Sequence, residues 1–274
     1  MPRGPGFTEC NMEKSSLITQ MAPPVATIKL NRPEVRNAMH IGMIRELTSA
    51  IQQLEQRQEV RILHLTAAGP DFCAGADLHW MRDGLKQTEA VLRSESLELA
   101  ALFRTIATTR LIVITSVQGR AMGGAIGLVS ASDLVVAESD ANFAFSEVKL
   151  GLIPATIAPY VLQKLGFSRA KELMLTGRSF SGEKALEYGL VHYLCPPRSL
   201  EETSNQRVAQ LLRNGPEAMR GVKSLLNRLS LRPAEEEVRE LTAALIAKHR
   251  TSSEGQEGMK AFFEKRKPYW DETR

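Results

Sequence analysis

Two short stretches rich in glycine and alanine carry the residues that are best suited to chemistry. Phe72–Asp77 (FCAGAD) follows one strand-like segment, and Gly119–Ala125 (GRAMGGA) follows another and leads into an apolar helix. The first N–H groups of a helix have no internal partner, and small residues let a ligand oxygen approach them. Two such turns that face each other would form an oxyanion hole. The alternative is that the small residues only allow close packing of helix against strand.

One acidic residue follows the second turn in a weakly polar stretch. Glu147 lies within Phe143–Pro154 (FAFSEVKLGLIP). Beside an oxyanion hole, a carboxyl group whose pKa is raised by desolvation would act as a general acid and base. The sequence thus supplies a candidate for proton transfer, with a solvated loop residue as the alternative.

Several common catalytic motifs are absent from the sequence. There is no phosphate-binding G-x-x-x-x-G-K-[ST] motif, no H-E-x-x-H motif and no G-x-S-x-G motif, and no G-x-G-x-x-G follows a strand. The histidines show no metal-ligand spacing, and His64 alternates with apolar residues as a structural residue would. Cys10, Cys73 and Cys195 form no C-x-x-C pair. We therefore expect no metal, and nucleotide hydrolysis and serine hydrolysis are disfavoured.

The composition is that of an ordinary globular protein. The chain has 274 residues, of which 43% are hydrophobic and 24% are charged, so one large domain with an appendage is expected. A net charge of +4 with only 5% aromatic residues does not indicate a nucleic-acid surface. No apolar run approaches the roughly 20 residues of a membrane span. The isolated cysteines and the absence of a signal-peptide pattern predict a cytoplasmic protein.

Alternating strands and helices position the two turns. Helical spacing of Ile44, Leu47, Ile51 and Leu54 predicts a helix over 41–56. Apolar and β-branched runs predict strands at Val25–Leu30, Arg61–Thr66, Leu111–Val117 and Asp133–Ala137. From about Ser199 only helices are expected, at Leu200–Arg213, Pro216–Arg228 and Ala234–Lys248, the last with a stripe of Val238, Leu241 and Leu245. The pattern indicates an α/β core with a helical appendage, which packs on its own core or on a neighbouring subunit.

At this point the sequence resembles the crotonase family, the enoyl-CoA hydratases and isomerases, over about Leu17 to Trp270. Besides the two turns and Glu147, the resemblance rests on Leu30–Pro33 with Asn37 and Ala38, Leu150–Pro154, Leu175–Gly177, Ala185, Gly189–Val191 and Glu257–Arg266. It implies a spiral of β-β-α units with a C-terminal helical region that drives trimerisation, as a homotrimer or a dimer of trimers. The corresponding division is a disordered leader at 1–16, the spiral core with the CoA site at 17–198, and the oligomerisation region at 199–274.

The resemblance also implies roles for individual residues. The backbone N–H groups of Ala76 and Gly124 would polarise the thioester carbonyl of an acyl-CoA, while Glu147 moves protons. No cofactor is expected other than coenzyme A as part of the substrate. His79 stands where the family often has a lysine near the CoA phosphate. The residues expected to bind the substrate or its CoA are Ala74, Gly75, Asp77, His79, Gly123, Phe262 and Lys265.

The sequence departs from the family pattern at one acid. Well-studied family hydratases use two glutamates, and the first of them falls on Gly127 here. Family isomerases keep only the counterpart of Glu147. The nearest other acids in sequence are Asp133, which matches a family position that looks structural, and Glu138. The choice between hydration and isomerisation therefore depends on how the single carboxylate of Glu147 is used.

A narrower similarity favours hydration. The segments Asp77–Met81 and Glu147–Tyr160 look most like bacterial methylglutaconyl-CoA hydratases of leucine breakdown. For a substrate with a second carboxylate, Lys149 and Arg120 are the candidate partners, with solvated side chains as the alternative. We therefore expect an enoyl-CoA hydratase, with a Δ3,Δ2-enoyl-CoA isomerase as the first alternative. A catalytically weak CoA-binding or RNA-binding family member is the alternative of another class.

Overall fold

A computed structural model describes residues 15–230 and 236–268 of the chain. Residues 1–14, most of the expected leader, lie outside the described residues, and Ser15 and Ser16 directly precede the first strand. The strands of the described residues are β1 (Leu17–Ala22), β2 (Val25–Leu30), β3 (Ile62–Ala67), β4 (Ile112–Val117), β5 (Arg120–Met122), β6 (Leu134–Glu138), β7 (Asn142–Ala144), β8 (Phe180–Ser181) and β9 (Tyr193–Cys195).

Helices separate most of these strands and form the whole of the C-terminal third. They are α1 (Ile41–Glu55), α2 (Leu78–Gly84), α3 (Glu89–Thr108), α4 (Gly124–Ala131), α5 (Ala158–Thr176), α6 (Gly182–Glu187), α7 (Leu200–Leu212), α8 (Pro216–Ser230), α9 (Glu236–Thr251) and α10 (Ser253–Phe263). Two 3-10 turns add Pro33–Val35 and Glu147–Leu150. No helix in the described ranges combines the length and apolar character that a membrane crossing requires.

The strands form two sheets. The larger has the order β1-β2-β3-β4-β6-β9, in which only β1 and β2 pair in the antiparallel sense, and the smaller has the order β5-β7-β8. The chain passes from β4 in the larger sheet to β5 in the smaller and then into α4, and it repeats this step with β6, β7 and α5. The repeated unit is the β-β-α turn of the expected α/β spiral.

The core explains why the segments adopt these conformations. All six residues of β4 are buried, as in a parallel strand that is covered on both faces. The predicted stripe of α1 is confirmed, since Ile44, Leu47, Ile51 and Leu54 are at most 4% exposed. This stripe packs in the main core cluster with β2 and α3.

The C-terminal third of the described residues is helical, as expected. The predicted helix over 234–248 is confirmed there as α9, which extends to Thr251. A further helix, α10, begins after Ser252, whose hydroxyl accepts a hydrogen bond from the N–H of Gly255 at 3.0 Å. Leu245 of the predicted stripe is 38% exposed, while Ala243 and Ala247 are buried. The side chains of Val238 and Leu241 lie outside the described residues. Small residues thus let α9 pack closely along α3.

A buried lysine ties α8 to the core. The Lys223 ammonium donates hydrogen bonds to Asp133 Oδ2 at 2.7 Å and to the carbonyl of Leu111 at 2.8 Å. The same Asp133 oxygen accepts from the N–H of Val113 at 2.7 Å. Asp133 is therefore a structural residue that joins β4 to α8.

Replacing this lysine should destabilise the fold. In Lys223→Ala, Asp133 loses its cationic partner, and we expect the free energy of unfolding to fall by about 3 kcal/mol, measured by urea denaturation. Lys184→Ala is the matched control, because Lys184 pairs with Glu187 on the surface, where both side chains are more than half exposed. An equal effect of the two substitutions would contradict the structural role of Lys223.

Candidate active site

The two glycine-rich turns lie side by side because their backbones are hydrogen-bonded. The N–H of Cys73 donates to the carbonyl of Arg120 at 2.9 Å, and the N–H of Met122 donates to the carbonyl of Cys73 at 3.1 Å. Gly75 has φ +96°, and a Cβ on it would lie 3.0 Å from the carbonyl oxygen of Met122. Glycine is therefore required where the first turn approaches the second.

This arrangement leaves one N–H free in each turn. In the first turn, the N–H of Met39 donates to the carbonyl of Gly75 at 2.7 Å, and the N–H of Asp77 donates to the carbonyl of Met39 at 2.8 Å. The N–H of Ala76, between these two residues, takes no part in this pairing. Gly124 is the first residue of α4, so its N–H has no partner within the helix. Neither N–H donates a hydrogen bond to any described residue. Ala76 and Gly124 line one cavity together with Glu147.

The carboxyl group of Glu147 is held against the second turn. Gly123 has φ +53°, and a Cβ on it would lie 3.3 Å from Glu147 Oε1. Although the residue as a whole keeps some exposure, its Oε2 atom is buried and has no hydrogen-bond partner among the described residues. Burial raises the pKa of Glu147 to about 7, against a smaller opposing effect of a backbone hydrogen bond. A carboxyl group in this state both accepts and donates protons near neutral pH.

Packing leaves no room for a second acid at Gly127, the position at which the well-studied hydratases have a glutamate. A Cβ on Gly127 would lie 2.5 Å from the Phe103 ring and 2.6 Å from the Ile157 side chain, so the helix has no room there for a side chain. Glu138 uses one carboxylate oxygen to accept from the N–H of Arg198 at 2.7 Å. Neither Glu138 nor Asp133 lines the cavity. Glu147 is thus the only carboxyl group among the described residues of the cavity wall.

The cavity is mostly apolar and encloses about 750 Å³ of empty space including its mouth. Sequence reasoning assigned no role in the site to most of its wall, because these side chains come from distant segments that meet only in the fold. The missed apolar residues are Met39, Trp80, Met81, Leu99, Leu152, Ile153, Pro154, Ile157, Ile246 and Met259. The missed polar residues are Ser96, Thr156 and Arg250. Such a cavity is suited to an acyl chain that is bound by apolar contact.

The residues expected to bind CoA do not line this cavity. Gly75 and Gly123 shape the turns, and Ala74 donates its N–H to the carbonyl of Arg36 at 3.0 Å. The carboxylate of Asp77 is already engaged, since it accepts from the N–H of His79 at 2.8 Å and forms an ion pair with Arg32 at 2.9 Å.

The other predicted contacts lie at the surface. His79, Phe262 and Lys265 are exposed. His79 lies on α2, Phe262 lies at the end of α10, and Lys265 lies just beyond that helix. The two candidate partners of a second substrate carboxylate are also exposed, and Arg120 lies 3.6 Å from Asp71. Neither Lys149 nor Arg120 lines the cavity. Within the described ranges, no group of three His, Cys, Asp or Glu side chains is placed to hold a metal ion.

Comparison with known proteins gives this cavity its context. A solved enoyl-CoA hydratase from Shewanella pealeana shares 38% identity and a TM-score of 0.77, covering 95% of this chain and 97% of that one. A short-chain-enoyl-CoA hydratase of Clostridium acetobutylicum is 31% identical over 79% of this chain and 83% of its own length. A trans-2-decenoyl-[acyl-carrier-protein] isomerase of Streptococcus mutans is 29% identical over 94% of this chain and 98% of its own length.

The family is settled by the extent of these matches and by one further comparison. The sequence profile described as Enoyl-CoA hydratase/isomerase matches residues 21–273, which include both turns, Glu147 and the helices that close the cavity. The chain therefore belongs to the enoyl-CoA hydratase/isomerase family and has the crotonase fold.

Proposed function

We propose that the protein is an enoyl-CoA hydratase in which Glu147 alone carries out both proton transfers. The observation that carries the proposal is the buried, unpartnered Oε2 of Glu147 beside the Gly123–Gly124 turn. In this proposal the acyl chain of a CoA thioester occupies the apolar cavity. The thioester oxygen lies between the N–H groups of Ala76 and Gly124, and the CoA extends toward the surface residues named above.

The reaction follows from these placements. The Glu147 carboxylate accepts a proton from water as the water oxygen bonds to the β-carbon of the 2-enoyl thioester. The electron pair of the double bond moves to the thioester oxygen, and the resulting enolate accepts hydrogen bonds from the two N–H groups, each worth about 3 kcal/mol in the transition state. Glu147 then returns the proton to the α-carbon. Because one carboxyl group serves both steps, oxygen and hydrogen add to the same face.

The second candidate is a Δ3,Δ2-enoyl-CoA isomerase. The closed position at Gly127 favours it, because carrying a proton between the α- and γ-carbons requires only one carboxylate. The same oxyanion hole would stabilise the enolate in this reaction. The family relative from Streptococcus mutans, named as an isomerase, supports keeping this candidate.

Incubation with defined thioesters tests both candidates. The purified protein is mixed separately with a 2-enoyl-CoA, a 3-enoyl-CoA and 3-methylglutaconyl-CoA, and the products are analysed by mass spectrometry. We expect the 2-enoyl and methylglutaconyl esters to gain one water, with the methylglutaconyl ester preferred. Conversion of the 3-enoyl ester to its 2-enoyl isomer, with no water gained by any ester, would replace hydration with isomerisation.

We also propose that the protein acts in the cytoplasm as a homotrimer or a dimer of trimers. The buried thiols of Cys73 and Cys195 are unpaired, as is usual in a reducing compartment. On α8, Val222 and Leu225 are more than half exposed, which suits contact with another subunit. Salt-dependent RNA binding without turnover would instead support the alternative of a catalytically weak family member.

The pH dependence of the reaction should follow Glu147. Because its pKa is raised to about 7, the group is protonated at lower pH and cannot accept a proton from water. We expect kcat/KM for a 2-enoyl-CoA to fall about tenfold per pH unit below pH 7 and to level off above it.

Glu147→Gln should lower kcat at least a hundredfold while CoA-ester binding stays nearly intact. Glu138→Gln is the control, and measurable turnover with an unchanged profile in Glu147→Gln would disprove the assignment.

The oxyanion hole can be tested by removing one donor. Gly124→Pro deletes the N–H at the start of α4, a position that proline tolerates, and turnover should fall on the order of a hundredfold. Gly124→Ala keeps the N–H, and its Cβ would meet only the flexible end of Met39 at 2.9 Å. Steady-state kinetics of the two folded variants decide the question. Equal activities would show that this N–H does not stabilise the transition state.

A further inference from the structure

The cavity wall contains a second charged group that the reaction does not use. Of the described residues that line the cavity, only Glu147 and Arg250 are ionisable. Arg250 lies near the end of α9, and its residue exposure is 8%. A guanidinium this deeply buried normally has a carboxylate partner.

No such partner is present among the described residues. The Arg250 side chain forms no ion pair and donates no hydrogen bond within them, although its backbone carbonyl accepts from Gln256 at 2.7 Å. Its guanidinium carbon lies 5.4 Å from the centre of the Trp80 ring. A cation over an aromatic ring is stabilised, but its five N–H donors still require acceptors.

The acid whose charge acts on Arg250 is hydrogen-bonded to another residue. Glu95 accepts a hydrogen bond from Trp80 Nε1 at 2.9 Å and is not ion-paired with Arg250. Burial lowers the pKa of Arg250, and the charge of Glu95 offsets part of that effect. Among the described residues, no hydrogen bond or ion pair joins Arg250 to Glu147.

The surrounding backbone makes room for this side chain and fixes its position. A Cβ on Gly84 of α2 would lie 2.5 Å from Arg250 Nη2. Beyond Arg250, α10 packs directly on the turn that carries Glu147, where a Cβ on Gly258 would lie 2.2 Å from the carbonyl oxygen of Leu150. Arg250 and Glu147 therefore line the same closely packed wall.

We propose that Arg250 binds a carboxylate of the acyl chain, so that the preferred substrates are acyl-CoA thioesters with a second carboxylate. This proposal rests on the proposed function for its acyl-CoA substrate. The planar guanidinium offers two parallel N–H donors to a carboxylate. The incoming carboxylate supplies the acceptor that the buried guanidinium lacks, and the surrounding apolar wall strengthens the interaction. A neutral chain of the same length leaves the cation unpaired.

The first experiment compares two 2-enoyl thioesters of equal chain length, glutaconyl-CoA with a terminal carboxylate and 2-pentenoyl-CoA without one. We expect the protein to prefer glutaconyl-CoA at least tenfold in kcat/KM. Arg250→Met should abolish this preference, because glutaconyl-CoA then loses the cation that binds its carboxylate. Arg82→Met is the matched control, because Arg82 is exposed and lies 4.8 Å from the Phe263 ring, outside the cavity wall.

A binding measurement separates this proposal from the proposed reaction. Calorimetry with glutaryl-CoA and pentanoyl-CoA needs no turnover, and we expect glutaryl-CoA to bind at least tenfold more tightly only while Arg250 is present. If glutaryl-CoA binds more tightly in this way but no ester is hydrated, the proposed hydration is wrong and the proposed role of Arg250 stands. Equal binding of the two esters by the parent protein, or equal losses for both in Arg250→Met, would overturn the proposal. If Arg250→Met does not fold, Arg250→Lys replaces it. The preference of this variant for the ester with a second carboxylate should fall at least threefold, because an ammonium group lacks the bidentate geometry. An unchanged preference would count against the proposal.

Discussion

Keeping one carboxyl group out of water is the constraint on which the rest of the site depends. Burial raises the pKa of Glu147 to about 7, and its Oε2 has no hydrogen-bond partner in the part of the chain that the structure describes. A hydrogen-bond donor placed there would stabilise the charged form and lower the pKa again. The apolar wall and the absence of a second polar group at Gly127 therefore serve the same purpose. They keep the carboxyl group able to exchange protons at neutral pH.

The two free N–H groups that form the proposed oxyanion hole follow from a different physical requirement. The strands must be hydrogen-bonded along their length while the N–H groups of Ala76 and Gly124 stay free. The two turns satisfy each other through Cys73, Arg120 and Met122, and this pairing skips Ala76. Gly124 is left free because a helix begins there. The positive φ of Gly75 and of Gly123 allows both features at once. The free donors are thus a consequence of how the parallel core is connected, and no polar side chain is needed to create them.

The sequence predicted those parts of the molecule that depend on local pattern. The stripe of α1 and the buried strand β4 were recognisable because burial repeats at the helical or strand period. The turns and Glu147 were recognisable because small residues and an isolated acid stand out in an apolar context. The cavity wall was not predictable in this way, since Met39, Trp80 and Met259 meet only through the tertiary fold. Arg250 belongs to none of the sequence motifs named above, and only the structure shows that it is buried in the wall of the cavity.

The C-terminal helices also contribute residues to the site. The expected division of the chain into a core at 17–198 and an oligomerisation region at 199–274 does not include this contribution. Ile246, Arg250 and Met259 complete a cavity whose remaining described wall comes from the core. The contact is close because Gly151 and Gly258 carry no side chains, and a Cβ on Gly151 would lie 2.6 Å from the carbonyl oxygen of Glu254. Displacing α10 would admit water to the turn that holds Glu147, and a hydrated carboxyl group would return toward its ordinary pKa. The packing of these helices is therefore a condition for the proton chemistry itself.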